Sequence, residues 1–203
     1  MAFVVIEGFS GTGKTTLAKK LERRGWLRLT ESAHALPKQV PVADRADTYS
    51  DFSLVGATMQ YCSLISANRG KRNIVSEGYL LGDLAYARIR YDLGKSNAFP
   101  ALLALVKRVL VEKPMRPDLY VLLEAAAETI GERQLGKGSR EKNISEFFRQ
   151  RYYSAIREMH QRLGQDNVEV VNSDRGGNET LRTLLRLLKE RGLSDLGKDG
   201  KSL

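Results

Sequence analysis

The 203-residue chain is poor in the residues that staple or ligate. It has one cysteine, Cys62, and two histidines, His34 and His160. One thiol cannot close an intrachain disulfide, and this set cannot build a Cys/His zinc site. No apolar run approaches the roughly 18 residues of a spanning helix. The opening MAFVVIEG has neither the basic flank nor the small-residue cleavage site of a secretory leader. A cytoplasmic protein without membrane contact is the expectation. Internal repeats and low-complexity stretches are lacking too. With 42% hydrophobic and 28% charged residues, collagen-like and wholly disordered readings are excluded. One domain over residues 1–192 is expected, followed by a frayed Gly-rich tail, 193–203.

Acidic residues are in deficit. Lys and Arg number 33 against 24 acids, a formal net charge of +9. That surplus suits either an anionic partner or a solvated basic surface. No block of five like charges occurs, and no basic segment is interleaved with regular aromatics. Nucleic acid is therefore not expected as a partner.

What is present is alternation of short apolar runs with amphipathic stretches. Phe3-Val4-Val5-Ile6 reads as a buried strand. Further strands are expected at 26–31, 73–77, 119–123 and 168–171. Helices are expected at 14–24, 51–69, 82–92, 99–112, 125–135, 144–163 and 180–190. Leu54, Met59, Leu64 and Ile65 are the expected core positions of the second. Five strands separated by helices predict a three-layer α/β domain with a mostly parallel sheet.

The sharpest motif is Gly8-Phe9-Ser10-Gly11-Thr12-Gly13-Lys14-Thr15. It satisfies G-x-x-x-x-G-K-S/T and lies between the first strand and the first helix, as its mechanism requires. Glycines let backbone N–H groups turn inward around phosphate oxygens, and the helix N-terminus adds its positive end. Gly8, Ser10, Gly11, Thr12, Gly13, Lys14, Thr15 and Thr16 are the expected ATP-binding residues. Lys14 can reach the β- and γ-phosphates, and the Thr15 hydroxyl can ligate Mg²⁺. No Asn-Lys-x-Asp is present to read guanine, and no apolar strand ends in paired acids as in motor ATPases. The size suits a small P-loop kinase, with ATP and Mg²⁺ as cofactors and a small-molecule phosphoryl acceptor as partner. Such an enzyme needs a basic lid. The Gly-rich basic stretch at 133–143 is the candidate, with Arg133 and Arg140 as its catalytic arginines.

Several segments carry a family likeness. FVVIEGFSGTGKTT (3–16), Leu29-Thr30-Glu31, Ala67-Asn68-Arg69, NIVSEGYLLGDLAY (73–86), PDLYVLLE (117–124) and FFRQRY (147–152) occur in the order and spacing of a known group. The chain resembles thymidylate kinase and its relatives, the deoxynucleoside kinases. The resemblance implies a P-loop kinase fold and a nucleoside monophosphate as acceptor. A nucleoside, or a non-nucleotide small molecule, is the alternative within the kinase class. A nucleotide-binding switch without transfer is the alternative outside it. The resemblance implies Glu77 at Mg²⁺ or the acceptor, Glu31 at the acceptor hydroxyl and Arg69 on the substrate side. It also implies a homodimer through the helices near 51–69 and 82–92. Where the family has Asp-Arg-Tyr, this chain has Glu77-Gly78-Tyr79, so an arginine is missing. Arg45, Gln60 and Tyr79 complete the expected acceptor-binding set. Gln60 is included because an amide can read a base edge, and Arg45 because it lies in the loop after the second strand.

Overall fold

The structure, a computed structural model, describes residues 1–31, 48–135 and 146–193. Arg45, Arg140, most of the expected lid and the tail from 194 lie outside the described residues.

Five strands form one sheet: β1 (Phe3–Gly8), β2 (Leu27–Leu29), β3 (Ile74–Glu77), β4 (Leu119–Glu124) and β5 (Val168–Asn172). Their order across the sheet is β2-β3-β1-β4-β5, and every pairing is parallel. Register is set with Phe3 beside Ile74 and Val4 beside Leu119. β1 is therefore central, which explains its unbroken apolar run. Phe3 and Val5 face one layer, Val4 and Ile6 the other, and all four are fully buried.

Eight helices flank the sheet among the described residues: α1 (Lys14–Glu22), α2 (Thr48–Met59), α3 (Tyr61–Asn68), α4 (Leu80–Asp92), α5 (Phe99–Val111), α6 (Ala127–Leu135), α7 (Glu146–Arg162) and α8 (Gly177–Glu190). Leu17 and Leu21 of α1 and Leu184 and Leu188 of α8 cover the Val4 and Ile6 face. Leu80 and Leu84 of α4, Leu102 and Val106 of α5 and Met159 of α7 cover the other. Each such fully buried side chain contributes about 1.5–3 kcal/mol. This is the three-layer α/β domain that the sequence predicts. None of the described helices is long and apolar enough to cross a membrane.

Two expectations need correction. The helix expected over 51–69 is two helices, broken at Gln60. The Gln60 N–H is shared between the carbonyls of Gly56 (3.2 Å) and Ala57 (3.3 Å), which loosens the turn. Of the expected core positions Ile65 is buried, Leu54 and Met59 are half-buried and Leu64 is 47% exposed, while Val55 is buried without having been expected. The helix expected from 125 begins at Ala127, because the Ala126 N–H is taken by Asp174 Oδ1 at 2.8 Å.

Candidate active site

Because all five strands run the same way, the turns after β1, β2, β3, β4 and β5 gather at one edge of the sheet. Ligands of open α/β sheets bind at that edge. The phosphate loop lies there. Gly8 adopts φ +148°, and a Cβ at this position would stand 2.7 Å from both Leu123 O and Thr12 Oγ1. Only glycine lets β1 turn so close to β4. Thr12 Oγ1 donates to Phe9 O at 2.8 Å and stiffens the turn. Lys14 Nζ folds back and donates to Gly8 O at 2.7 Å. Gln134 of α6 donates to Ser10 O at 3.3 Å, and Ile130 packs on Gly11. Gly13 ends the loop. Thr15, half-buried, and Thr16, exposed, then form the first turn of α1, where unpaired N–H groups favour an anion.

Opposite Lys14 is a narrow cleft lined by Glu7, Glu31, Glu77, Asp83, Gly78, Gly82, Tyr86 and Tyr152. Four acidic residues therefore line one cleft. Glu77, 1% exposed, is paired with Arg28 of β2, whose Nε donates to Glu77 Oε1 at 2.5 Å. Burial works against the Arg28 charge, but the bonds and charges of Glu77 and Glu22 hold its pKa above the usual value. Burial pushes Glu7 up to about 8, helped by the charges of Asp83 and Glu31, while Lys14 and the Tyr79 N–H pull it down. Burial likewise pushes Asp83 up to about 7, with Glu31 and Asp51 adding to it and the Thr58 hydroxyl (2.5 Å) and Arg90 opposing it. Asp51 and Arg90 form a buried pair beneath Asp83. Glu31 sits half-buried at the cleft wall, and no cation pairs with it among the described residues.

The site brings together the phosphate-loop residues, Glu31 and Glu77. It does not bring Arg69. Arg69 follows α3 and precedes β3, which places it at the opposite edge of the sheet. Its guanidinium donates to Asp118 Oδ1 at 2.7 Å, while Asp118 Oδ2 accepts the Phe3 N–H at 2.7 Å. β1 separates that position from Gly8 by about 16 Å. The Tyr79 ring also points away, into the core, edge-on to Phe3 at 5.4 Å, so only its backbone lines the cleft. Gln60 is exposed beside Tyr61, whose hydroxyl is 3.3 Å from Thr30 Oγ1 near the end of β2. Arg133 spans the outside of the phosphate loop. It donates to Thr12 O (3.4 Å), Ser173 O (2.7 Å) and Asp174 O (3.5 Å), tying the loop to the β5–α8 turn.

Sequence reasoning missed Glu7 and Asp83. Glu7 was visible as a lone acid at the end of an otherwise apolar strand, and Asp83 as an acid on the buried face of α4.

No protein-family model matches the chain, and no curated protein matches its sequence. Solved structures do match in shape. A deoxyadenosine kinase from M. mycoides with bound dATP superposes with a TM-score of 0.69 at 17% identity, covering 93% of this chain and 100% of that one. The same enzyme with bound dCTP gives 0.64 at 17% identity, covering 93% and 99%. Thymidylate kinase from Candida albicans gives 0.61 at 14% identity, covering 95% and 92%. The chain has the fold of these kinases. Such a fold puts the glycine loop and the acid-lined cleft side by side.

Proposed function

We propose that this protein is an ATP-dependent phosphotransferase whose acceptor is the hydroxyl group of an uncharged, nucleoside-class molecule. The observation that carries the reading is the charge of the cleft beside the phosphate loop. Glu31, Glu77 and Asp83 line it beside Glu7, which burial keeps protonated at neutral pH, and among the described residues its cations are Lys14 at the loop and Arg28 at Glu77. A dianionic acceptor would meet those carboxylates without Arg69, which is spent on Asp118 at the other edge. An uncharged acceptor rich in hydroxyl and amino donors suits them. The reading departs from the monophosphate that the family resemblance implies: of the two arginines expected on the acceptor side, Arg69 is at the other edge and Arg45 lies outside the described residues.

The phosphate loop would hold ATP. Its N–H groups and Lys14 would carry the charge on the phosphoryl oxygens. The residues fit a bound Mg²⁺ as well: the Thr15 hydroxyl opens α1, and Glu77 stands at the end of β3 with one oxygen engaged by Arg28. Thr15 and Glu77 would hold the ion, which when bound would neutralise phosphate charge. Glu31 takes the proton of the acceptor hydroxyl as its oxygen bonds to the γ-phosphorus and ADP departs. Asp83, held by Thr58 beside the half-buried Tyr86, offers the acceptor a directional contact.

The test is an ATP-consumption screen across nucleosides, nucleoside monophosphates and other hydroxyl compounds. Turnover with nucleosides, lost in Lys14→Ala, is the expected result. Slow hydrolysis unaffected by every acceptor would overturn the reading in favour of a nucleotide-binding switch.

A further inference from the structure

Among the described residues, Glu7 is a buried acid that this chemistry leaves unused and that, unlike Asp51, has no basic side chain bonded to it. It is 2% exposed and directly precedes the phosphate loop. Its Oε1 accepts the Tyr79 N–H at 2.8 Å, and its Oε2 lies 3.4 Å from the Tyr152 hydroxyl. A Cβ on Gly82 would stand 2.6 Å from Oε2, so the first turn of α4 is pressed directly onto this carboxyl. Tyr152 in turn packs on Phe9 of the phosphate loop at 5.8 Å and on Tyr86 of α4 at 4.9 Å. One side chain therefore touches the β3–α4 turn, α4 and α7, and is covalently one residue from the loop.

Burying a carboxyl group here is costly, and an apolar residue would avoid the cost. What an apolar residue cannot do is accept the Tyr79 N–H. We propose that Glu7 is a positioning residue that fixes the acceptor-side turn, residues 78–82, against the phosphate loop. It acts through the backbone of that turn and not on the reacting atoms; the kinetic part of the claim rests on the phosphotransferase reading above. Lys14, Asp83 and Glu31 are the charged groups around it. With its proton retained at neutral pH, the acid is mimicked in shape and hydrogen bonding by glutamine.

The experiment compares Glu7→Gln, Glu7→Ala and Gly82→Ala with wild type in two measurements. The first is the kinetics of ATP-dependent transfer to the best acceptor. The second is amide hydrogen exchange over residues 78–83 with an unhydrolysable ATP analogue bound. Glu7→Ala lowers kcat at least about ten-fold and leaves the KM for ATP within about two-fold, while Glu7→Gln stays near wild type. Exchange over 78–83 quickens at least about ten-fold in Glu7→Ala and not in Glu7→Gln. Gly82→Ala, which presses on the same carboxyl from the other side, reproduces the Glu7→Ala pattern. Equal damage in Gln and Ala would overturn positioning, because the charge would then be what matters. A folded Glu7→Ala protein with wild-type kcat would overturn it as well. Should wild type bind the analogue and transfer to no acceptor, the phosphotransferase reading fails. The exchange comparison then still decides whether Glu7 holds the turn, and unchanged exchange in Glu7→Ala sinks it.

Discussion

The two edges of the sheet use the same residue types for opposite ends. At the edge where the strands begin, several polar side chains are spent on the chain itself. Asp118 takes the Phe3 N–H and Arg69, Asn73 Oδ1 accepts the Ala2 N–H, Asn167 donates to Pro117 O, and Arg116 donates to Gly164 O. At the edge where the strands end, four carboxyl groups surround one cleft, and two of them are buried against their own solvation. At the first edge the charges of Arg69 and Asp118 are paired; at the second, Glu77 is paired with Arg28 while burial raises the pKa of Glu7 and Asp83. Lys14 and Arg69 make the contrast concrete. Lys14 opens the helix that follows a strand and Arg69 follows the helix that precedes one, and direction of travel puts the first at the phosphate-loop edge and the second at the other.

The largest test of that contrast is Lys14→Ala. With the ammonium gone, transfer should fall by about three orders of magnitude, roughly 4 kcal/mol of barrier. Circular dichroism should stay native, since Lys14 serves the loop and not the apolar core. Turnover close to wild type in a folded variant would erase the distinction between the edges.

Glu31→Gln comes next. Removal of a general base costs about 100-fold in kcat or more, with little change in the KM for ATP. Steady-state kinetics on the best acceptor check it.

Asp118→Ala tests the other edge. It leaves the Phe3 N–H and the Arg69 guanidinium without their partner, and should cost about 2–3 kcal/mol of stability in urea unfolding. Because the site is a strand length away, kcat/KM per folded molecule should hold within about two-fold. Arg69→Ala should behave likewise, with a smaller loss. A KM effect confined to the acceptor would return Arg69 to the site.

The smallest effect is a pH slope. Glu7 holds its proton in the folded chain up to about pH 8 and releases it near 4.5 when unfolded, and Asp83 behaves similarly up to about 7. The folded state binds more protons in that window, so stability must fall as pH rises through it. His160, buried edge-on against Tyr120, is pushed down to about 4 by burial, so its contribution runs the other way and is lost as pH drops below about 6.5. Between pH 6.5 and 8 the acids outweigh the small remaining gain from His160, and the ligand-free protein should lose about 2 kcal/mol. Urea midpoints at the two pH values, in wild type and Glu7→Gln, measure it; the slope should shrink in the variant.

The legibility of all this in the sequence was uneven for physical reasons. The phosphate loop could be read residue by residue, because its chemistry is backbone chemistry and dictates glycines at fixed offsets. The parallel sheet could be read because a strand buried on both faces has to be apolar throughout. The helix break at Gln60 was hidden, since a shared N–H leaves no mark on composition. Glu7 was read as the end of a strand, for nothing local says that an acid will be enclosed by a helix 145 residues away. Arg69 was misplaced by resemblance although topology contained the answer: a residue between a helix and the start of a parallel strand lies at the edge away from the ligand.

The central claim is that the acid-lined edge admits an uncharged hydroxyl acceptor. Its most direct measurement offers the wild-type protein, in one vessel with limiting ATP, a nucleoside and its own monophosphate in equal amounts, and resolves the products by mass spectrometry. The account predicts the nucleoside to be phosphorylated at least about ten-fold faster, a difference of about 1.4 kcal/mol in transition-state binding. Faster conversion of the monophosphate to the diphosphate would contradict it.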